Sequence, residues 1–120
     1  MSQTQVQTQK ICKQYYYRNC IKYSGLTKTI IVLDERVLRP SKVYRSKTGA
    51  HGEDIYCLSE AEWQRAWIVT FEQSNSGRRY VSTMNVPEAV KELIEQAWLY
   101  EDASIEEIAS IIAKLQLQLS

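Results

Sequence analysis

The spacing of apolar residues changes along this chain, and each change predicts a different kind of element. From Thr27 to Leu33 the sequence reads Thr-Lys-Thr-Ile-Ile-Val-Leu, dense in β-branched residues and apolar at consecutive positions. A strand that is apolar on both faces belongs in the middle of a sheet. Upstream, Lys10 to Tyr23 follows no helical stripe: the odd positions are Ile11, Lys13, Tyr15, Tyr17, Asn19, Ile21 and Tyr23, and the even ones Cys12, Gln14, Tyr16, Arg18, Cys20 and Lys22. Its tyrosines favour a pleated surface, so it is read as a second strand, ended by Ser24-Gly25.

Shorter extended segments follow. Asp34-Glu35 forms a two-residue turn into Arg36–Arg39, which Pro40 ends because proline has no amide hydrogen for a ladder. Lys42–Arg45 and Ile55–Leu58 flank a loop, 46–54, that contains Gly49 and Gly52. Trp67–Phe71 and Tyr80–Met84 form a hairpin about Ser74-Asn75-Ser76-Gly77.

Two sites match the capping box, in which a serine side chain accepts from the third helical amide and the glutamate there reaches back. Ser59-Glu60-Ala61-Glu62 opens a short helix to about Ala66, which brings Trp63 near Trp67 if it runs one residue further. Ser104-Ile105-Glu106-Glu107 opens a longer helix with Ile105, Ile108, Ala109, Ile112 and Leu115 facing inward and Ile111, Leu117 and Leu119 widening that stripe. Before it, Pro87 suits a first helical position, and Val90, Leu93, Ile94, Ala97 and Trp98 fall on one face. The short link 101–103 makes these two helices a hairpin. The resulting expectation is a single α+β domain over residues 10–120. It has a small, largely antiparallel sheet of about five strands, a short helix, and a C-terminal helical hairpin covering one face.

Composition changes this picture only at its edges. Residues 1–9 alternate glutamine with threonine or valine and carry no large hydrophobe but Val6, so a flexible tail is expected there. The longest apolar run is Ile30–Leu33, far short of the ~20 residues a membrane helix needs. The polar N-terminus does not read as a signal peptide, so a cytoplasmic protein without membrane association is expected. Three cysteines, Cys12, Cys20 and Cys57, fit reduced thiols better than a disulfide framework.

Recognisable catalytic chemistry is missing. With one histidine, His51, no paired-histidine metal site forms, and Cys12, Cys20, His51 and Cys57 lack the short knuckle spacing of a zinc site. Nucleotide-binding glycine motifs and the nucleophile elbow are absent as well. A non-enzymatic protein without cofactor or metal is therefore expected. The stretch Ser46-Lys47-Thr48-Gly49-Ala50-His51-Gly52 resembles the exposed loop of the translation factor that carries hypusine, but Ala50 replaces the lysine that is modified there.

Charge supplies the one functional signal. Residues 1–50 hold ten Lys/Arg against two acids, a net of +8, while residues 51–120 hold five against twelve, a net of −7. In the first half the cations interleave with tyrosines, a mixture that serves single-stranded nucleic acid: cations for phosphate, aromatic faces for bases. The candidate contact residues are Lys10, Lys13, Tyr15, Tyr17, Arg18, Lys22, Arg39, Lys42, Arg45 and Lys47. The competing expectation is an interaction or regulatory subunit that forms a homodimer or docks a protein partner through the C-terminal helices. In that case the basic strands pair with the acidic helices.

Overall fold

The computed structural model describes residues 13–22, 25–38, 42–45 and 52–119. The tail expected over residues 1–9 lies outside them, as does most of the 46–54 loop. Every extended segment read from the sequence is a strand: β1 (Lys13–Lys22), β2 (Gly25–Leu33), β3 (Arg36–Val37), β4 (Lys42–Arg45), β5 (Gly52–Leu58), β6 (Trp67–Ser74) and β7 (Arg79–Met84). Among the described residues the sheet therefore has seven strands rather than about five. All ladders are antiparallel, in the order β4-β5-β1-β2-β6-β7, with β3 paired to β2. Helix α1 (Glu60–Arg65) joins β5 to β6. Helix α2 (Glu88–Glu95) continues into a π-helical turn (Gln96–Tyr100), and α3 (Ile105–Leu119) follows.

β2 holds the central place its composition predicts, between β1 and β6, with Ile30 to Leu33 all buried. Alternation sends these side chains into two separate cores. Ile30 and Val32 join Trp67, Val69 and Phe71 of β6 beneath Val90, Ile94, Ala97, Trp98, Ile108 and Ile112 of the C-terminal helices. Ile31 and Leu33 join Ile68, Tyr56 and Leu58, covered by Trp63 and Ala66. Trp63 and Trp67 thus lie in different cores, not against one another. The reason is local: Ala66 is extended (φ −76, ψ 142), so α1 stops at Arg65 and Trp67 is already a strand residue, facing away from Ile68.

Both capping boxes form. At Ser59 the amide of Glu62 donates to the serine hydroxyl (3.3 Å) and the Ser59 amide donates back to the Glu62 carboxylate (2.9 Å). At Ser104 the reciprocal bonds with Glu107 are 3.1 and 2.9 Å. Pro87 is the N-cap of α2 rather than its first helical residue, with extended backbone (φ −59, ψ 150), so the helix starts one residue later than expected.

Two turns depend on glycine. Gly77 (φ +94) completes the β6–β7 hairpin, its amide donating to the Ser74 carbonyl while the Ser74 amide donates to the Arg78 carbonyl. Gly25 (φ +128) lies opposite Ser74, where a Cβ would meet the Gln73 carbonyl oxygen at 2.1 Å. The β2–β3 turn uses no glycine, although Asp34 (φ 52) and Glu35 (φ 62) both adopt the positive φ of a type I′ turn.

That turn is held from outside. Gln116, buried near the end of α3, donates from its amide nitrogen to the Val32 carbonyl (3.1 Å) and accepts from the Glu35 amide (2.8 Å). Asp34 accepts two bonds from Arg65 at 3.2 Å each, and these bonds together with the carboxylate's charge hold the Arg65 pKa above its ordinary value. Both side chains are about half exposed, so the pair orients the turn more than it stabilises the fold.

The α3 stripe is narrower than its sequence suggests. Ile111, Leu117 and Leu119 are 42%, 55% and 58% exposed, and Leu93 of α2 is 37% exposed, so none of the four completes the core. Gln116 takes the inward place instead, because the turn beneath it needs a donor and an acceptor.

Candidate nucleic-acid interface

Most of the described cations of the first half lie on β1 and β4, toward one end of the strand order, while Lys28 and Arg36 lie on β2 and β3. β1 carries Lys13, Tyr15, Tyr17, Arg18 and Lys22, β4 carries Lys42 and Arg45, and β5 pairs with both. Seven of the ten sequence candidates therefore sit on two strands separated by one. Lys10, Arg39 and Lys47 lie outside the described residues.

Register places acids among these cations. Glu53 of β5 stands opposite Arg18 on one side and Tyr44 on the other, and Asp54 stands between Tyr17 and Val43. Lys42 is opposite Ile55, Arg45 opposite Gly52, Lys13 opposite Leu58, Tyr15 opposite Tyr56, and Lys22 opposite Gly25 of β2. The three strands hold five basic and two acidic residues, a net of +3.

The acidic helices pack elsewhere. α2, the π-helical turn and α3 bury their apolar residues against β2 and β6, and α3 and the turn also lie over β3 and β7. Residues 86–119 hold seven acids and two lysines, a net of −5. The asymmetry in sequence is thus also one of strand order: cationic strands at the β4 end, acidic helices over the other half.

No family model, curated protein or solved structure matches the chain.

A second concentration of polar and aromatic groups has no counterpart in the sequence reading. Arg79, at the start of β7, lies with its guanidinium 3.8 Å from the centre of the Trp98 ring. Its Nη1 donates to the carbonyls of Trp98 (3.2 Å) and Ala103 (2.9 Å), and its Nη2 pairs with Asp102 (3.3 Å). Asp102 has a left-handed backbone (φ 56), and the Ala103 amide donates to the Ala97 carbonyl (3.1 Å), so the helix ends in a Schellman-like turn. Arg79 thus satisfies carbonyls at a helix C-terminus, where a cation also suits the dipole. An open groove of about 520 Å³ runs beside it, lined by Arg78, Tyr80, Leu99 and Tyr100 among others. Arg78 donates to the Tyr80 hydroxyl (3.4 Å), which pushes the Arg78 pKa up.

Arg79, one of the two cations beside the groove, is committed to the fold, so this cluster holds the C-terminal helices in place. Its signal in the sequence is faint, because Arg79 and Trp98 are nineteen residues apart and belong to different elements. Among the described residues no three His, Cys, Asp or Glu side chains converge as metal ligands. Cys12 and His51, two of the four possible zinc ligands, lie outside those residues. No described helix is long and apolar enough to cross a membrane.

Proposed function

We propose that this chain is a non-enzymatic nucleic-acid-binding protein that contacts single strands through the tyrosine-rich cationic strands β1 and β4. The observation that carries this reading is the separation of charge along the strand order: β1 and β4 flank β5 at the end away from the acidic helices. The cations Lys13, Arg18 and Lys22 of β1 and Lys42 and Arg45 of β4 supply charge for phosphates along a strand, and the interleaved Tyr15, Tyr16, Tyr17 and Tyr44 supply flat faces for bases. Each stacked base contributes about 1–3 kcal/mol, which sets aromatic substitution apart from charge substitution.

The test is a fluorescence-anisotropy titration with a labelled single-stranded oligonucleotide over a series of salt concentrations. Four phosphate contacts give a slope of log affinity on log salt of about −2.8, and roughly fifty-fold weaker binding when salt is raised fourfold. Changing Lys10, Lys13, Arg18 and Lys22 together to glutamate should abolish binding with the circular-dichroism spectrum unchanged. Absence of binding by the native chain at low salt removes the proposal.

A second reading, docking of a protein partner through the C-terminal helices, draws on the exposed Ile111, Leu117 and Leu119 of α3. Ile111→Glu with Leu117→Glu separates the two, since it should abolish partner capture and leave oligonucleotide affinity unchanged.

A further inference from the structure

We propose that the outer edge of β7 is a self-association surface, on which a second copy of the chain adds its own β7 antiparallel across a two-fold axis at Ser82. This goes beyond the nucleic-acid reading and does not depend on it.

β7 ends the strand order, and among the described residues it pairs with β6 alone. The phase of its hydrogen bonds follows from the hairpin. The Ser74 amide donates to the Arg78 carbonyl across that pair (2.8 Å), which makes Ser74 and Arg78 a hydrogen-bonded pair. Hydrogen-bonded and non-hydrogen-bonded pairs alternate along an antiparallel ladder. Tyr80, Ser82 and Met84, opposite Glu72, Thr70 and Ile68, therefore turn their main-chain groups toward β6. Arg79, Val81 and Thr83 turn theirs outward, to the edge that no other described strand occupies.

The side chains of this strand show a matching asymmetry. Arg79, Val81 and Thr83 are half-buried beneath the helices, whereas Tyr80, Ser82 and Met84 are exposed on the other face. Tyr80 is 46% and Met84 60% exposed, large apolar groups placed symmetrically about Ser82. A two-fold at Ser82 sets Tyr80 of each copy opposite Met84 of the other, twice, as thioether–aromatic cross-strand pairs. The same register sets Val81 opposite Thr83, the residues whose outward amides and carbonyls then bond to one another. Centring the axis on Val81 sets Met84 against Arg78 instead, and centring it on Thr83 sets Met84 against Ser82. The Ser82 register is the one of these three that matches the exposed apolar pair.

From Tyr80 onward the strand also lacks the devices that keep sheet edges apart. Tyr80-Val81-Ser82-Thr83-Met84 contains no charge and no proline. At the other end of the strand order β4 reads Lys-Val-Tyr-Arg, with a cation at each end. That edge carries a charge at each end, whereas the one charge of β7, Arg79 at its start, is engaged by the Trp98 and Ala103 carbonyls and Asp102.

The decisive experiment uses Ser82→Cys in the full chain. A non-hydrogen-bonded pair brings its Cα atoms to about 4.5 Å, within the span of a disulfide. Mild oxidation should give a covalent dimer whose peptide map shows the introduced thiols of the two copies joined to each other. Ser110→Cys, on exposed α3, should give no such self-link. In sedimentation the native chain should dimerise. Tyr80→Lys and Met84→Glu should each weaken the dimer roughly tenfold through loss of two cross-strand pairs. The double variant should recover it, since the ammonium introduced in each copy would then face the carboxylate introduced in the other. All of these positions are exposed, so circular dichroism should show the fold retained in every variant. A native chain that stays monomeric at high concentration overturns the proposal. So does a dimer that survives both single changes, or one in which Ser82→Cys yields no link between the two copies at that position.

Discussion

Trp98→Ala is expected to cost about 3–5 kcal/mol, in the range for removing a large aromatic side chain from a core. Domains of this size have total stabilities of about 5–15 kcal/mol, so urea unfolding should show a much lower midpoint and a large fraction of the stability gone. Three contacts are lost at once. The indole packs edge-on against Phe71 with ring centres 4.9 Å apart, lies under the Arg79 guanidinium, and donates from Nε1 to the Tyr80 carbonyl at 2.8 Å. Its place in the middle of the larger core means that neighbours from β6, β7 and the helices must all shift to close the space. Trp98→Phe keeps most of the ring contact and loses the N–H, so a smaller cost of about 0.5–1.5 kcal/mol is expected for the one hydrogen bond removed. A loss below about 1 kcal/mol for the alanine variant would show that the C-terminal helices do not depend on this anchor.

Gln116→Leu should be the next most damaging, although leucine suits a buried helical position better by hydropathy. The substitution leaves the buried Val32 carbonyl without its donor and the Glu35 amide without its acceptor, at about 1–3 kcal/mol for each group that water does not reach. The turn it releases already has two non-glycine residues at positive φ. Glu35→Gly removes the side chain at one of those positions and should recover part of the loss in the Gln116→Leu background. Denaturant midpoints of the two single variants and the double measure this coupling directly. Additive effects would show that Gln116 acts independently of the turn.

Both predictions rest on contacts that the linear pattern could not rank. Periodicity identified Trp98 as one of several inward residues on one helical face. It could not show that a cation from β7, itself in a strongly alternating strand, would lie on the indole and close the helix end. Gln116 is polar and sits between Leu115 and Leu117, so hydropathy placed it outside and placed Leu117 and Leu119 in the stripe. The structure reverses this because the acceptor and donor it satisfies belong to a turn eighty-odd residues earlier.

The candidate interface was legible to a similar depth. That ten cations of the first half outnumber two acids is a count, and it survives any fold. Which strands those cations share, and that Glu53 and Asp54 stand in register with Arg18 and Tyr17, follows only from how β5 pairs with β1 and β4. Single-residue registry is not a property of either strand alone, because a slip of one position moves every side chain to the opposite face.

Local chemistry in the sequence was enough to determine the elements themselves: the β-branched run of β2, the two capping boxes, the Ser74–Gly77 turn and the amphipathic helices. Those signals act over a few residues, through backbone sterics and nearest hydrogen bonds, so the chain states them directly. Tertiary structure alone decided which strand lies beside which, that Trp63 and Trp67 serve opposite cores, and that β7 ends the strand order. These depend on pairings between segments tens of residues apart, where each segment has several partners of similar propensity. The choice is made by how the whole set of faces is buried together.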